Sequence, residues 1–194
     1  MTLDVIDQLV GIRQGDALFT LREQRPDAKR NAQASFDALL TTDELEQVNR
    51  LERLAIAFWT VALTRSPAVA FYRDLLGGES PEALAALEDA LPGAVTTGPY
   101  GDYPEGPLSA EDVDGPHWEP APDLVAALGG RLAAALAHAH LLTYRPRDAS
   151  PEALQDLLDA GWSSTGVVTV SQLVSFLAFQ LRVVAGLTVL KGAL

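Results

Sequence analysis

Cysteine is absent from this chain of 194 residues. The absence excludes disulfides, thiolate nucleophiles, iron–sulfur clusters and cysteine-ligated zinc. Basic side chains are also scarce, since 14 Lys and Arg residues stand against 26 Asp and Glu residues. The resulting net charge of −12 has the wrong sign for binding phosphate groups. We therefore expect neither nucleic acid nor an anionic lipid surface as a partner.

The N-terminal region carries acidic residues early and lacks the basic segment that begins a secretory signal. With no cysteine and no such signal, the expected location is the cytoplasm. One stretch, 167–190, is long and apolar enough to resemble a membrane span. Arg182 lies in its middle, where a charge is costly in a bilayer. We therefore expect this stretch to pack against protein and not to enter a membrane.

Periodicity predicts an all-α fold, because apolar residues recur at helical spacing and no sustained alternation is present. Serine precedes proline at 66–67, 80–81 and 150–151, which is typical of helix starts. Further helices are predicted at 4–10, 16–24, 27–40, 42 or 43–62, 123–143 and 163–190. The last of these is apolar on nearly every side, which favours a core position or an interface between identical subunits.

Residues 92–123 differ from the rest of the chain. They contain seven prolines, five glycines and seven acidic residues, with no Lys or Arg. This composition predicts an acidic, non-helical insert within a single domain spanning 1–194. One interpretation is a solvated connector. The other is a lid or partner-contacting loop, for which Tyr100, Tyr103 and Trp118 would supply apolar anchors.

The three histidines do not predict a metal site. His138 and His140 are two residues apart on a predicted helix, so their side chains point in different directions. The ordinary interpretation is a hydrogen-bonded histidine on a helix face, and His117 lies in the insert. The sequence has no Gly-x-Ser-x-Gly motif and no phosphate-binding glycine loop in the required context. We expect no metal and no organic cofactor.

Two segments carry a resemblance to a known family. The first is LERLAIAFWTVALTRSPAVAFYR, which begins at Leu51 and includes Glu52, and the second is SQLVSFLAFQLRVVAGL near the C-terminus. Together with DVIDQLVGI and RPDAKRNAQASFDALL, they resemble the alkylhydroperoxidase-like/carboxymuconolactone decarboxylase (CMD domain) superfamily. The resemblance implies an all-α, alkylhydroperoxidase-like helical bundle that forms homo-oligomers. It covers most of the chain apart from the insert.

The same resemblance implies a degenerate active site. In redox-active members a glutamate is followed after twelve residues by a cysteine, then by a second cysteine three residues on and a histidine four further. Counted from Glu52, these places hold Thr64, Pro67 and Phe71. Only the carboxylate is retained, and peroxide reduction by this route requires two thiols. Cysteine-dependent peroxidase activity is therefore not expected.

Glu52 has two interpretations. In the first, it forms a structural ion pair with Arg73 or Arg182 from a neighbouring helix, because an unpaired carboxylate in an apolar stripe is costly. In the second, its pKa is raised and it acts as a general base in a small pocket lined by Thr64, Phe71, Trp59 and Tyr72.

Three functions follow from these interpretations. The leading hypothesis is a non-redox homo-oligomer with a structural, regulatory or small-molecule-binding role. The alternative is a cofactor-free enzyme, decarboxylase-like in type, that acts on a lactone or similar carbonyl compound with Glu52 as base. A third hypothesis is a partner for a peroxidase-related homologue that carries the missing cysteines.

Overall fold

The computed structural model describes residues 4–193, and throughout this part of the chain the regular elements are helical. The predicted all-α class is therefore confirmed. Ten α-helices are present in the described residues: α1 (Val5–Val10), α2 (Ala17–Glu23), α3 (Pro26–Phe36), α4 (Arg50–Leu63), α5 (Val69–Glu79), α6 (Pro81–Ala94), α7 (Pro122–Leu128), α8 (Gly130–Tyr144), α9 (Pro151–Asp159) and α10 (Ser164–Ala193). A π-helical turn, Asp37–Thr41, continues α3.

Helix α4 lies at the centre of the core. Its residues from Glu52 to Leu63 are all buried, and it contacts α5, α6, α8 and α10. Apolar residues on every face of this helix explain the position, because each face must be covered by another element. The last helix, for which the sequence predicted either a core position or an interface between identical subunits, is buried along one side only.

Serine caps begin several helices, as predicted. Ser80 accepts the backbone N–H of Ala83 at 3.2 Å, and Ser150 accepts that of Ala153 at 3.3 Å. The hydroxyl of Ser163 accepts the N–H of Gly166 at the start of α10. At Ser66 the hydroxyl accepts the N–H of Ala68, only two residues on, and the helix begins at Val69.

Two helix boundaries differ from the prediction. Residues 42–49 are not helical, and α4 starts at Arg50, since the side chain of Asn49 caps its first turn. The guanidinium of Arg53 donates to the carbonyls of Leu39, Glu44 and Val48, which holds this segment in its irregular path. The predicted helix over 123–143 is two helices, because Gly129 adopts a left-handed φ of 81° between α7 and α8.

The acidic insert is folded against the helices. Trp118 packs between Trp59, at a ring-centroid distance of 4.8 Å, and His140, at 5.6 Å. The backbone N–H of Tyr100 donates to the carbonyl of Tyr144 at 2.6 Å. Arg145 donates to the carbonyl of Gly115 at 2.5 Å. The insert is therefore packed against the helices, which argues against the interpretation of a solvated connector.

The outer side of α10 carries exposed apolar residues. Val168, Phe179 and Val189 are 55%, 49% and 76% exposed, respectively. By length and composition α10 could also cross a membrane, but core helices of soluble proteins pass the same test.

Candidate functional site

Glu52 is the third residue of α4 and lies in the first turn of the helix. One carboxylate oxygen accepts the backbone N–H of Asn49 at 2.9 Å, which completes a capping box. The other oxygen accepts a hydrogen bond from Arg131 Nε at 2.8 Å. Both oxygens are therefore engaged in contacts that fix the start of the helix.

Arg131 is the ion-pair partner that the sequence analysis missed. Its guanidinium also donates to the carbonyls of Gln47, at 2.7 Å, and Gly161, at 2.9 Å. The predicted partners were wrong, because both have other contacts. Arg73 forms an exposed pair with Glu88, and Arg182 is exposed on α10, where it donates to a carbonyl of its own helix.

The structure does not gather the family-motif positions around Glu52. Thr64 follows the last residue of α4, about 18 Å from Glu52 along the helix axis at 1.5 Å per residue. Thr64 and Pro67 are exposed, and the hydroxyl of Thr64 donates to the carbonyl of Val61. Phe71 is half-buried and packs against Phe36 and Tyr72.

The two aromatic candidates use their polar atoms elsewhere. Trp59 donates its indole N–H to the carbonyl of Leu136 at 3.1 Å. Tyr72 donates its hydroxyl to the side-chain oxygen of the fully buried Gln180. Burial raises the pKa of the Tyr72 phenol strongly, although the hydrogen bond to Gln180 lowers it in part. Tyr72 is therefore a neutral core residue at physiological pH.

A cavity of about 380 Å³ lies between α7, α8 and α9. We call it the His138 cavity. Its wall consists mainly of apolar residues, with one histidine and one carboxylate: Pro120, Val125, Gly130, Ala133, Ala134, Ala137, His138, Leu141, Ala153, Asp156 and Leu157.

Small side chains explain why the His138 cavity exists. Gly130, Ala133, Ala134 and Ala137 follow one another at helical spacing on one face of α8. Ala153 on α9 also contributes to the wall. Since none of these residues extends beyond Cβ, they leave a volume between the helices that larger side chains would fill.

His138 is the polar group of the wall whose hydrogen bonding is incomplete. The residue is 5% exposed, and its Nε2 lies 3.2 Å from the hydroxyl of Ser171. Within residues 4–193 its buried Nδ1 has no hydrogen-bond partner. Burial lowers the pKa of His138, which keeps the ring neutral at pH 7. A buried nitrogen without a partner costs about 1–3 kcal/mol.

The His138–Ser171 contact lacks the other parts of a serine-hydrolase site. In a catalytic triad a carboxylate orients the histidine through its second nitrogen, whereas Nδ1 of His138 has no partner among the described residues. Ser171 lies inside α10, whose backbone N–H groups are used within the helix. They do not form an oxyanion hole. The arrangement therefore favours binding over acyl transfer.

His140 has a different role from His138, although both lie on α8. Its Nε2 is 3.0 Å from the carbonyl of Ala94, and its ring stacks on Trp118. Among the residues that the structure describes, no group of three or more histidine or carboxylate side chains is arranged to hold a metal ion.

The sequence contained a signal for the His138 cavity, namely the run of small residues at helical spacing beside a histidine. It could not reveal which helices close over that face. Comparison of the chain with protein-family models, with curated proteins and with solved structures gives no match.

Proposed function

We propose that this chain is a non-redox binding protein for a small, largely apolar molecule, and that the molecule occupies the His138 cavity. The observation that carries the proposal is an apolar cavity of about 380 Å³ whose wall includes His138, a buried histidine with no hydrogen-bond partner at Nδ1 among residues 4–193.

The size and lining of the His138 cavity support this proposal. Small-molecule sites are commonly concave, about 300–1,000 Å³ in volume, and mostly apolar with a few polar groups. The volume of about 380 Å³ lies within this range, and the apolar wall includes His138 and Asp156 as its polar members. Pro120 of the insert contributes to the wall, so the packed insert helps to define the site.

The contacts of Glu52 support a structural role over the alternative of a general base. A general base needs a lone pair directed at the substrate, whereas both oxygens of Glu52 accept hydrogen bonds from Asn49 and Arg131. Membership of the alkylhydroperoxidase-like superfamily stays a prediction from the resemblance, and binding at the His138 cavity does not depend on it.

Binding of 1-naphthylmethanol tests the proposal. We expect this neutral probe to shift the NMR signals of the His138 ring and to give a saturable binding isotherm by calorimetry. Ala137→Leu should abolish binding, because Ala137 is a half-buried wall residue and the larger side chain would fill the space. Ala127→Leu is the matched control, because Ala127 is exposed on α7 and lies outside the wall.

Two results would contradict the proposal. One is saturable binding that leaves the His138 signals unchanged. The other is equal binding by the wild type and the Ala137→Leu variant, because a probe inside the cavity could not tolerate the added carbons.

A further inference from the structure

We propose that the ligand of the His138 cavity is a small amphipathic amine, with its apolar body against the alanines of α8 and its ammonium group at Asp156. This inference rests on the proposed function, because it names the chemical class that the same cavity selects.

The distribution of charge in the cavity wall is the first argument for an amine. Asp156 is the carboxylate of the wall and is exposed, which places it where the cavity meets solvent. The remaining wall residues are apolar except for His138. A molecule with one cationic end and an apolar remainder matches this distribution, because its charge can stay hydrated beside Asp156 while its body is buried.

Further acidic residues lie close in sequence to the residues of the wall. Glu119 precedes Pro120, Asp123 follows it three residues later, and Glu152 and Asp159 lie on α9 with Asp156. Arg131, which follows Gly130 of the wall, is held by Glu52 and by two backbone carbonyls. The local field is therefore negative and attracts cations, in keeping with the net charge of −12.

His138 does not offset the negative electrostatic field of these carboxylates. Burial lowers the pKa of the ring, so the ring adds no positive charge that would hold a carboxylate or phosphate. An anionic ligand would meet Asp156 without a compensating cation in the wall, which disfavours fatty acids and other carboxylates.

Three probes that share a naphthalene ring distinguish cationic, neutral and anionic ligands. Calorimetry with 1-naphthylmethylamine, 1-naphthylmethanol and 1-naphthoate at low ionic strength should rank them in that order of affinity. We expect the amine to bind about three- to fivefold more tightly than the alcohol, as is typical of an exposed ion pair. The preference should shrink as salt is added.

Asp156→Asn tests whether the preference for the amine over the alcohol comes from the Asp156 side chain. This variant should bind the amine and the alcohol with equal affinity. Asp159→Asn is the matched control, because it removes the same charge from an exposed position on α9 that lies outside the wall. It should retain most of the preference for the amine.

The outcomes distinguish this inference from the proposed function. Equal binding of all three probes, or a preference for the naphthoate, would overturn the amine assignment and leave the cavity as a binding site. A preference for the amine that persists in Asp156→Asn would also overturn it. Failure of all three probes to bind would contradict the proposed function, and this inference would fall with it.

Discussion

The guanidinium of Arg131 lies 4.0 Å from the ring centroid of Trp162, and the indole N–H of Trp162 donates to the backbone carbonyl of Arg131 at 2.8 Å. The same guanidinium forms the ion pair with Glu52. These contacts join the first turns of α4 and α8 to the turn before α10. The carboxylate therefore belongs to a junction between helices.

Removal of the Glu52 side chain should destabilise this junction. We expect Glu52→Ala to lower the free energy of unfolding by about 2–3 kcal/mol, because it removes the helix cap and one partner of Arg131. Glu52→Gln should cost only about 1 kcal/mol, because glutamine can keep the capping box. Urea denaturation followed by circular dichroism measures both values.

Glu88→Ala is the control for a carboxylate that pairs with an arginine at the surface, because the side chains of Arg73 and Glu88 are 51% and 38% exposed. It should change the free energy of unfolding by less than about 1 kcal/mol. A Glu52→Gln variant more stable than the wild type would contradict the structural role and would favour the general-base alternative.

Trp118 should control both the packing of the insert and the shape of the His138 cavity. Trp118→Ala removes the contacts with Trp59 and His140, so we expect a loss of about 1–3 kcal/mol in the free energy of unfolding. Limited proteolysis should then cut the chain faster between residues 100 and 117. Binding of 1-naphthylmethanol should weaken, because Pro120 of the wall lies two residues away.

Tyr103→Ala is the matched control for loss of an aromatic ring from the insert. Tyr103 packs under the guanidinium of Arg147, 3.9 Å from the ring centroid, and Tyr103 lies outside the cavity wall. It should affect the unfolding free energy by less than about 1 kcal/mol. Unchanged proteolysis of Trp118→Ala would show that Trp118 does not hold the insert.

The helices that the sequence predicted well are those with local signals. Ser80, Ser150 and Ser163 each cap a helix as expected, because capping depends on residues within one turn. The start of α4 was predicted seven or eight residues too early. Arg53 explains the error, because its buried guanidinium binds carbonyls of Leu39, Glu44 and Val48 and stabilises an irregular segment instead.

The candidate site was harder to predict because it depends on contacts distant in sequence. Glu52 was identified, but its partner Arg131 is 79 residues away, and no local pattern marks the pair. His138 was interpreted as an ordinary hydrogen-bonded histidine, and its contact with Ser171 agrees with that interpretation. The cavity, and the lack of a partner for Nδ1 of His138 among residues 4–193, depend on how α7 and α9 pack against α8. Hydrophobic periodicity in the sequence does not reveal this packing.

The buried histidines should make the protein less stable in mild acid. Burial lowers the pKa of His138 and of His140 in the folded state below the usual value of 6.5, while the unfolded chain binds protons near that value. For His140 the hydrogen bond to Ala94 offsets part of the effect. The unfolded state therefore takes up more protons as the pH falls below about 6.5, and stability declines.

Urea denaturation between pH 7.5 and pH 5 measures this decline. Each histidine that is protonated only on unfolding contributes a slope of about 1.4 kcal/mol per pH unit. His138→Gln should reduce this slope and leave the contribution of His140 in place. A slope identical to that of the wild type would show that His138 is not kept neutral by burial.

The exposed side of α10 should mediate self-association of the chain. Val168, Phe179 and Leu190 are exposed and recur every eleven residues, close to three whole helical turns, so they form a stripe along a helix of 30 residues. A second copy of the same helix would cover this stripe, as the predicted homo-oligomer requires. Light scattering after gel filtration should give a mass of at least twice 20.7 kDa for the wild type.

Phe179→Lys should shift the protein to the mass of a single chain, because a charge would be buried without a partner at the centre of the stripe. Leu108→Lys is the matched control, because Leu108 is 51% exposed and lies in the insert, away from α10. It should keep the mass of the wild type. A wild-type protein that stays monomeric at a chain concentration of about 100 μM would contradict self-association, because even a dimer of micromolar affinity would then be formed.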